Sequence, residues 1–255
     1  MTKLRILGCS GGIGGNARTT SMLLDHDILI DAGTGVGDLS LSELSLIDHV
    51  FITHSHLDHI ACIPLLMDSV GFMRDKPLTV HATEATLEII RQHVFNWKIW
   101  PDFTQIPDAQ QPFMRYHAIQ LGQTIELGTR HITALPANHV VPAVGFQIDS
   151  GSASLVFSGD TTANDALWET VNHIANLRYL IVETAFSNAE RELAVKSKHF
   201  CPSMLAEDLL KLKLDPEIYI THLKPGEVDL IMQEIGRYVH GFAPIMLQNG
   251  QVFEF

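Results

Sequence analysis

The chain has 255 residues, 46% of them hydrophobic and 18% charged, which excludes a disordered or fibrous chain and is ample for a sizeable core. Asp and Glu number 29 against 17 scattered Lys and Arg, a formal net charge of −12. A protein that grips long nucleic acid by phosphate neutralisation carries a basic footprint instead, so such a partner is disfavoured.

No apolar run approaches the ~20 residues that span a bilayer, and the first residues lack a long apolar leader core, so no membrane is expected. Cys9, Cys62 and Cys201 form no CxxC pair. Reduced thiols in a cytoplasmic protein are expected, and a thiolate zinc site is not. No repeat, linker or low-complexity stretch divides the chain, so residues 1–255 are read as one domain.

In chain order, residues 4–7 read as a strand running into the glycine-rich stretch 8–16. The spacing is not GxGxxG, and a hairpin (20–24 with 28–30) follows rather than a helix, so a dinucleotide site is rejected and a flexible loop over a cleft is expected. Asp31 ends the second hairpin strand. A short helix at 39–46 and a strand at 49–53 lead to His54-Ser55-His56-Leu57-Asp58-His59, which turns into a helix over 57–72. A strand at 77–81 and a helix at 83–95 come next, then an aromatic loop at 96–103 whose Trp97, Trp100 and Phe103 are expected to pack in the core. The second half reads as strands at 125–127, 130–135, 144–148, 154–158, 179–183 and 218–221. Helices fall at 167–174, 190–196, 202–212 and 228–238, and residues 245–248 and 252–255 read as a closing hairpin. Strands and helices in both halves suit a layered α/β sandwich.

One local pattern recurs. An apolar strand ends and a residue able to bind metal follows: His54 after 51–53, His139 after 132–137, Asp160 after 155–159, and His222 after 218–221. Strands of a sheet bring their ends to one edge, so these residues are expected to converge. Neutral imidazole and carboxylate suit Zn²⁺ first, and Mn²⁺ or Fe as well. Two such ions can share a carboxylate and activate water at neutral pH.

The HxHxDH turn, His139, Asp160 within Ser158-Gly159-Asp160-Thr161, and His222 resemble the metallo-β-lactamase superfamily, with its motifs in order over nearly the whole chain. The resemblance implies a four-layer αββα sandwich with the metal site at one edge of the two β-sheets. It implies two divalent metal ions, one on His54, His56 and His139, the other on Asp58, His59 and His222, with Asp160 bridging and Asp58 also counted in the catalytic machinery. Asp31 would support a ligand from behind. His26, His49, His81, His93, His117, His131, His173 and His240 have no comparable context and read as surface or partly buried residues. His199 lies in a segment that, in phosphodiesterase branches of the superfamily, carries a histidine contacting the scissile phosphate. It is read as a catalytic proton donor or oxyanion stabiliser, with Glu183 as its partner.

Within the superfamily the chain is most similar to class II 3′,5′-cyclic-nucleotide phosphodiesterases, on His54–Ile60, on 95–102 with its Trp100-Pro101 step, on Glu183-Thr184-Ala185-Phe186 and on Thr221-His222-Leu223-Lys224-Pro225. The expected reaction is hydrolysis of a small phosphodiester, cyclic AMP or cyclic GMP, to the nucleoside 5′-monophosphate by a metal-bridging hydroxide. A homodimer is common in similar enzymes. The alternative is a tRNA 3′-processing endoribonuclease (ribonuclease Z-like), against which the acidic balance stands, or another hydrolase of the metallo-β-lactamase fold. A non-enzymatic scaffold is disfavoured because such relatives lose ligands, and all seven are kept.

Overall fold

The computed structural model describes residues 2–255. Its strands form two seven-stranded sheets. In the first, β1 (Lys3–Gly8), β2 (Ser21–Leu24), β3 (Ile28–Ala32), β4 (His49–Phe51), β5 (Leu78–Thr83) and β6 (Met114–Ile119) lie in chain order, with the late strand β14 (Val252–Glu254) beside β1. The second runs β7 (Thr124–Leu127), β8 (Arg130–Pro136), β9 (Val144–Asp149), β10 (Ser154–Phe157), β11 (Leu177–Glu183), β12 (Glu217–Thr221) and β13 (Ile245–Met246). Helices α1 (Leu41–Leu46), α2 (Leu57–Ile60), α3 (Cys62–Val70) and α4 (Glu84–His93) follow strands of the first sheet. Helices α5 (Asp165–Val171), α6 (Arg191–Ser197), α7 (Pro202–Leu209) and α8 (Val228–Tyr238) follow strands of the second.

The side-chain period of a strand sorts the core into layers. Along β2 and β3, Met22, Leu24, Ile28 and Ile30 join the cluster between the sheets with Phe51, Phe146 and Phe157. Their neighbours Leu23 and Leu29 point the other way, into a second cluster with Ile63 and Met67 of α3 and Leu87 of α4. Val156 and Leu180 of the second sheet meet Trp168, Leu205 and Ile231 in a third. Sheets covered on both faces read as unbroken apolar runs, and the order helix, sheet, sheet, helix is the expected αββα sandwich.

Local chemistry sets the element ends. Ser40 and Glu43 form a reciprocal capping box that starts α1. Thr83 accepts from Thr86 N and starts α4. The helix expected over 57–72 is instead α2 and α3, broken at Ala61, with a 3-10 turn at Gly71–Met73. Pro64 has no N–H to offer Ile60 and its ring crowds that carbonyl, which accounts for the break.

Three further expectations are corrected. Strand β6 was not anticipated: it is an edge strand paired only with β5, and its Arg115, His117 and Ala118 are exposed, so it lacks a clear apolar pattern. The closing hairpin does not form. Residues 245–246 pair parallel with β12 in the second sheet, and 252–254 pair antiparallel with β1 in the first. The chain between them crosses the sandwich, held by Leu247 N to Ile220 O (2.9 Å) and Gly250 N to Ile6 O (2.7 Å). In the aromatic loop Phe103 is buried and Trp100 packs against the core, but Trp97 is 64% exposed. Asn96 Oδ1 caps the N–H groups of Lys98 and Ile99, and the resulting turn holds Trp97 at φ 62°, facing outward. The glycine-rich loop is anchored at its base, with Gly11 N on Leu223 O and Lys224 Nζ on Gly11 O. Among the described residues no helix is long and apolar enough to cross a membrane.

Candidate metal centre

The strand ends converge as expected. From the first sheet come His54 and His56, on the turn between β4 and α2, Asp58 and His59 in α2 itself, and Asp31 near the end of β3. From the second come His139 after β8, Asp160 after β10, Glu183 at the end of β11, and His222 after β12. Backbone turns aim several of them. Gly159 sits at φ 61° with Val144 O where a Cβ would lie, so only glycine makes this bend ahead of Asp160. Asp31 (φ 55°) and His222 (φ 64°) adopt the same left-handed conformation without being glycine, a strain that native structures retain mainly at functional sites.

Donor atoms of His54, His56, His139 and Asp160 lie within 4.8 Å of one another, and so do those of Asp58, His59, Asp160 and His222. Asp160 belongs to both sets. Its Oδ2 is 3.6 Å from His54 Nε2 and 3.4 Å from His59 Nε2, and its Oδ1 is 3.4 Å from His222 Nδ1. Asp58 Oδ2 lies 3.7 Å from His59 Nε2 and 3.8 Å from His222 Nε2.

The back sides of these rings are fixed. His59 Nδ1 donates to Asp31 Oδ2 (2.7 Å), which also accepts from Thr53 Oγ1 (2.8 Å), while Asp31 Oδ1 accepts from Thr53 N (2.8 Å). His139 Nδ1 donates to Lys198 O (3.1 Å). In each case the proton sits on the nitrogen facing away from the cluster, leaving a lone pair on the nitrogen facing in. His54 Nε2, His59 Nε2 and His222 Nδ1 are buried with no hydrogen-bond partner, and His139 Nε2 faces His56 Nδ1 at 3.2 Å.

Electrostatics agree for His54, His139 and His222, whereas at His59 burial is outweighed by the carboxylates of Asp160 and Asp31, which raise the ring well above the ordinary histidine value. Burial and neighbouring rings hold His54 well below the usual histidine pKa, and burial brings His139 down to about 4 and His222 to about 3. These rings are neutral and free to donate lone pairs. Burial favours a neutral Asp160, but attraction to the His222, His59 and His54 rings, whenever they carry a second proton, holds its carboxyl well below the usual carboxylate range. Unpartnered inward nitrogens around a buried carboxylate are costly without a cation between them. The donor set therefore fits a divalent metal.

His199 lies beside the cluster, stacked on His222 at 5.2 Å between ring centroids and 4.9 Å from His139. Its Nδ1 donates to Glu183 Oε1 (2.7 Å), and Glu183, fully buried, also accepts from Thr161 N (3.1 Å) and Phe200 N (3.3 Å). Burial disfavours the charged ring, but Glu183 and Asp160 together raise the His199 pKa above its ordinary value.

Every residue singled out from the sequence thus lies in or directly behind one cluster. Two more were missed. Thr53 joins the Asp31 carboxylate to His54 Nδ1 (3.0 Å). Lys198, at φ 55°, offers its carbonyl to His139 while its Nζ binds Asn138 Oδ1 and His139 O. Their positions immediately before His54 and His199 were the available signal. Of the histidines set aside, His81 is 2% exposed rather than superficial. It stacks on Phe51 at 4.3 Å and bonds His49 Nδ1 at 3.0 Å.

This fold and this constellation define a metal-dependent hydrolase. The family model described as the β-lactamase superfamily domain matches residues 26–239, and the chain belongs to that superfamily, with the metallo-β-lactamase fold and the divalent metal site it implies. A probable 3′,5′-cyclic-nucleotide phosphodiesterase of Yersinia pestis is 26% identical over 206 residues, 71% of this chain and 58% of that protein. Endoribonuclease ysh1 of Schizosaccharomyces pombe is 26% identical over 178 residues, 65% of this chain but 23% of that protein. The chain thus matches only part of the length of both. Unliganded yeast PDE1 superposes with a TM-score of 0.83 over 98% of both chains at 17% identity, a likeness of fold.

Proposed function

We propose that the protein is a dinuclear-metal phosphodiesterase that hydrolyses 3′,5′-cyclic nucleotides to nucleoside 5′-monophosphates. The observation that carries this reading is the pair of donor sets sharing Asp160, with His199 held beside them by Glu183. His54, His56 and His139 would hold one ion and Asp58, His59 and His222 the other, with the Asp160 carboxylate available to both. Imidazole and carboxylate at this ratio suit Zn²⁺. When bound, the ions supply Lewis acidity toward the phosphoryl oxygens and an activated water near neutral pH.

The chain's own residues supply the rest. Asp31 fixes the His59 ring, and the Lys198 carbonyl fixes His139. Glu183 holds the His199 Nδ1 proton and, with Asp160, raises the pKa of the ring, so that the imidazolium can give the proton on its other nitrogen to the departing 3′-oxygen, where negative charge develops, and is left neutral. The Yersinia pestis relative supports the cyclic-nucleotide class, and the net charge of −12 favours a small substrate over a long polyanion.

A second reading, an endoribonuclease, is favoured by the similarity to the Schizosaccharomyces pombe enzyme. Metal analysis of the purified protein and a product assay on cyclic AMP, cyclic GMP, 2′,3′-cyclic nucleotides and precursor tRNA separate the two. The expected product is the 5′-monophosphate from the first two. Cleavage of precursor tRNA alone would overturn the proposal.

A further inference from the structure

Behind the metal centre the hydrogen bonds close a ring. Lys198 Nζ donates to Asn138 Oδ1 (3.0 Å), and Asn138 N donates to Thr161 Oγ1 (2.9 Å). Thr161 N donates to Glu183 Oε1 (3.1 Å), which also accepts from His199 Nδ1 (2.7 Å), and His199 follows Lys198 in the chain. The ring runs through the immediate neighbours of three functional side chains: Asn138 precedes His139, Thr161 follows Asp160, and Lys198 precedes His199. Lys198 also crosses the ring directly. Its carbonyl accepts from His139 Nδ1 (3.1 Å), and its Nζ donates to His139 O (3.1 Å).

Lys198 ends α6 in the left-handed conformation, at φ 55°, where glycine is the usual residue because any Cβ is strained. Its ammonium offsets that strain with two bonds, both to the loop that carries His139. The helix gives little other support. Only Ala194 of α6 is buried, and segments with so few buried apolar contacts open locally. On one flank the segment of His199 is tethered by Glu183, which takes His199 Nδ1 and Phe200 N. On the other flank both links to the His139 loop come from Lys198, one through its carbonyl and one through its ammonium. Only the second link depends on which residue stands there.

We propose that Lys198 is a positioning residue, whose ammonium clamps the His139 loop to the His199 segment and so fixes the proton donor relative to the metal centre. The inference rests on the reading of His199 as proton donor to the leaving oxygen and deepens it. It predicts a defect confined to one kind of substrate. A departing alkoxide needs a proton, whereas p-nitrophenolate leaves without one, so a misplaced His199 slows the first reaction and spares the second. A misplacement of about 1 Å costs about 10²-fold in rate.

The test compares cyclic AMP with bis(p-nitrophenyl) phosphate on metal-loaded Lys198→Met, which keeps an unbranched stem and removes the ammonium. With cyclic AMP, kcat should fall about 10²-fold while KM stays within about threefold of the parent. With bis(p-nitrophenyl) phosphate, both should stay within about threefold. Lys198→Gly relieves the backbone, so it should melt higher than Lys198→Met and yet lose as much kcat. In a His199→Ala background Lys198→Met should add almost nothing, because it acts through that ring. In the metal-free protein the His199 ring N–H, assigned by its absence from His199→Ala, should exchange with water faster in Lys198→Met. Cyclic AMP turnover within about threefold of the parent, an equal loss on both substrates, a loss that follows melting temperature or metal content, or a loss undiminished in the His199→Ala background would each overturn the role of Lys198 and leave the phosphodiesterase reading in place. Unchanged turnover of cyclic AMP by His199→Ala alone would bring down the proton-donor reading and this one with it. If cyclic AMP is not hydrolysed, the cyclic-nucleotide reading falls, and diphenyl phosphate, whose phenolate also leaves better with a proton, takes its place in the same comparison.

Discussion

Asp31→Asn isolates the role of a residue that touches no proposed substrate. Asn tolerates the left-handed backbone at φ 55°, so the substitution adds little strain. Asp31 accepts three hydrogen bonds, from Thr53 N, Thr53 Oγ1 and His59 Nδ1. An asparagine must keep its oxygen toward the backbone N–H of Thr53, which cannot turn round. Its NH₂ then faces Thr53 Oγ1 and His59 Nδ1. The hydroxyl can rotate to accept, but the imidazole accepts only by moving its proton to Nε2, the nitrogen that faces Asp58 and Asp160. His59 is lost as a donor to the ion shared with Asp58 and His222. Disturbing such a supporting carboxylate costs about 10–100-fold in metal affinity, or about 1.4–2.7 kcal/mol, and the loss should reach the upper part of that range. The ion on His54, His56 and His139 should be retained. Competition with a chromogenic chelator, read with metal content and the melting curve, measures this. Two ions bound with affinities within threefold of the parent would refute the tautomer argument.

His199→Ala should lower kcat by about 10²–10⁴ with metal content unchanged; loss of metal would show a structural role instead. Asp160→Ala should remove or displace both ions, and retained activity would sink the shared-carboxylate arrangement. Gly11→Ala would put a methyl group 2.4 Å from the carbonyl oxygen of His222, so a lower melting temperature together with weaker metal binding is expected. His81 gives a pH prediction. Burial lowers its folded pKa to about 3 against the ordinary 6.5, so on acidification the unfolded chain takes up a proton that the folded one refuses. Stability is full above pH 6.5 and falls as the pH drops toward 3, by on the order of 5 kcal/mol for that one site. His81→Phe keeps the stacking on Phe51 and should flatten the slope in denaturant titrations across that range; an unchanged slope would exclude His81 as its source.

The metal-binding side chains were legible because chemistry concentrates them: His54 to His59 hold four donors in six residues, and each remaining donor follows an apolar strand. The layering was legible for the same reason, since Met22, Leu23 and Leu24 can all be apolar only if both faces of their strand are covered. What escaped is non-local. Nothing in residues 245–255 records that their two strands join different sheets, because that choice depends on which edges β12 and β1 leave open. Strand β6 pairs on one side only and shows solvent a polar surface. The bond from His139 to the Lys198 carbonyl spans 59 residues of sequence and uses a backbone group that any residue type carries.

Each donor set draws on both halves of the sandwich. His54 and His56 come from the first sheet and meet His139 and Asp160 from the second; Asp58 and His59 meet Asp160 and His222 in the same way. An ion in either set is therefore a clasp across the seam between the sheets, fastened at the edge where their shared apolar layer ends. Neither half of the chain can make a complete set alone, so metal affinity reports on how the sheets are docked. Chelation should loosen the seam before it melts either sheet, with hydrogen exchange rising first along β4 and β10 and only later in the strands farthest from the site.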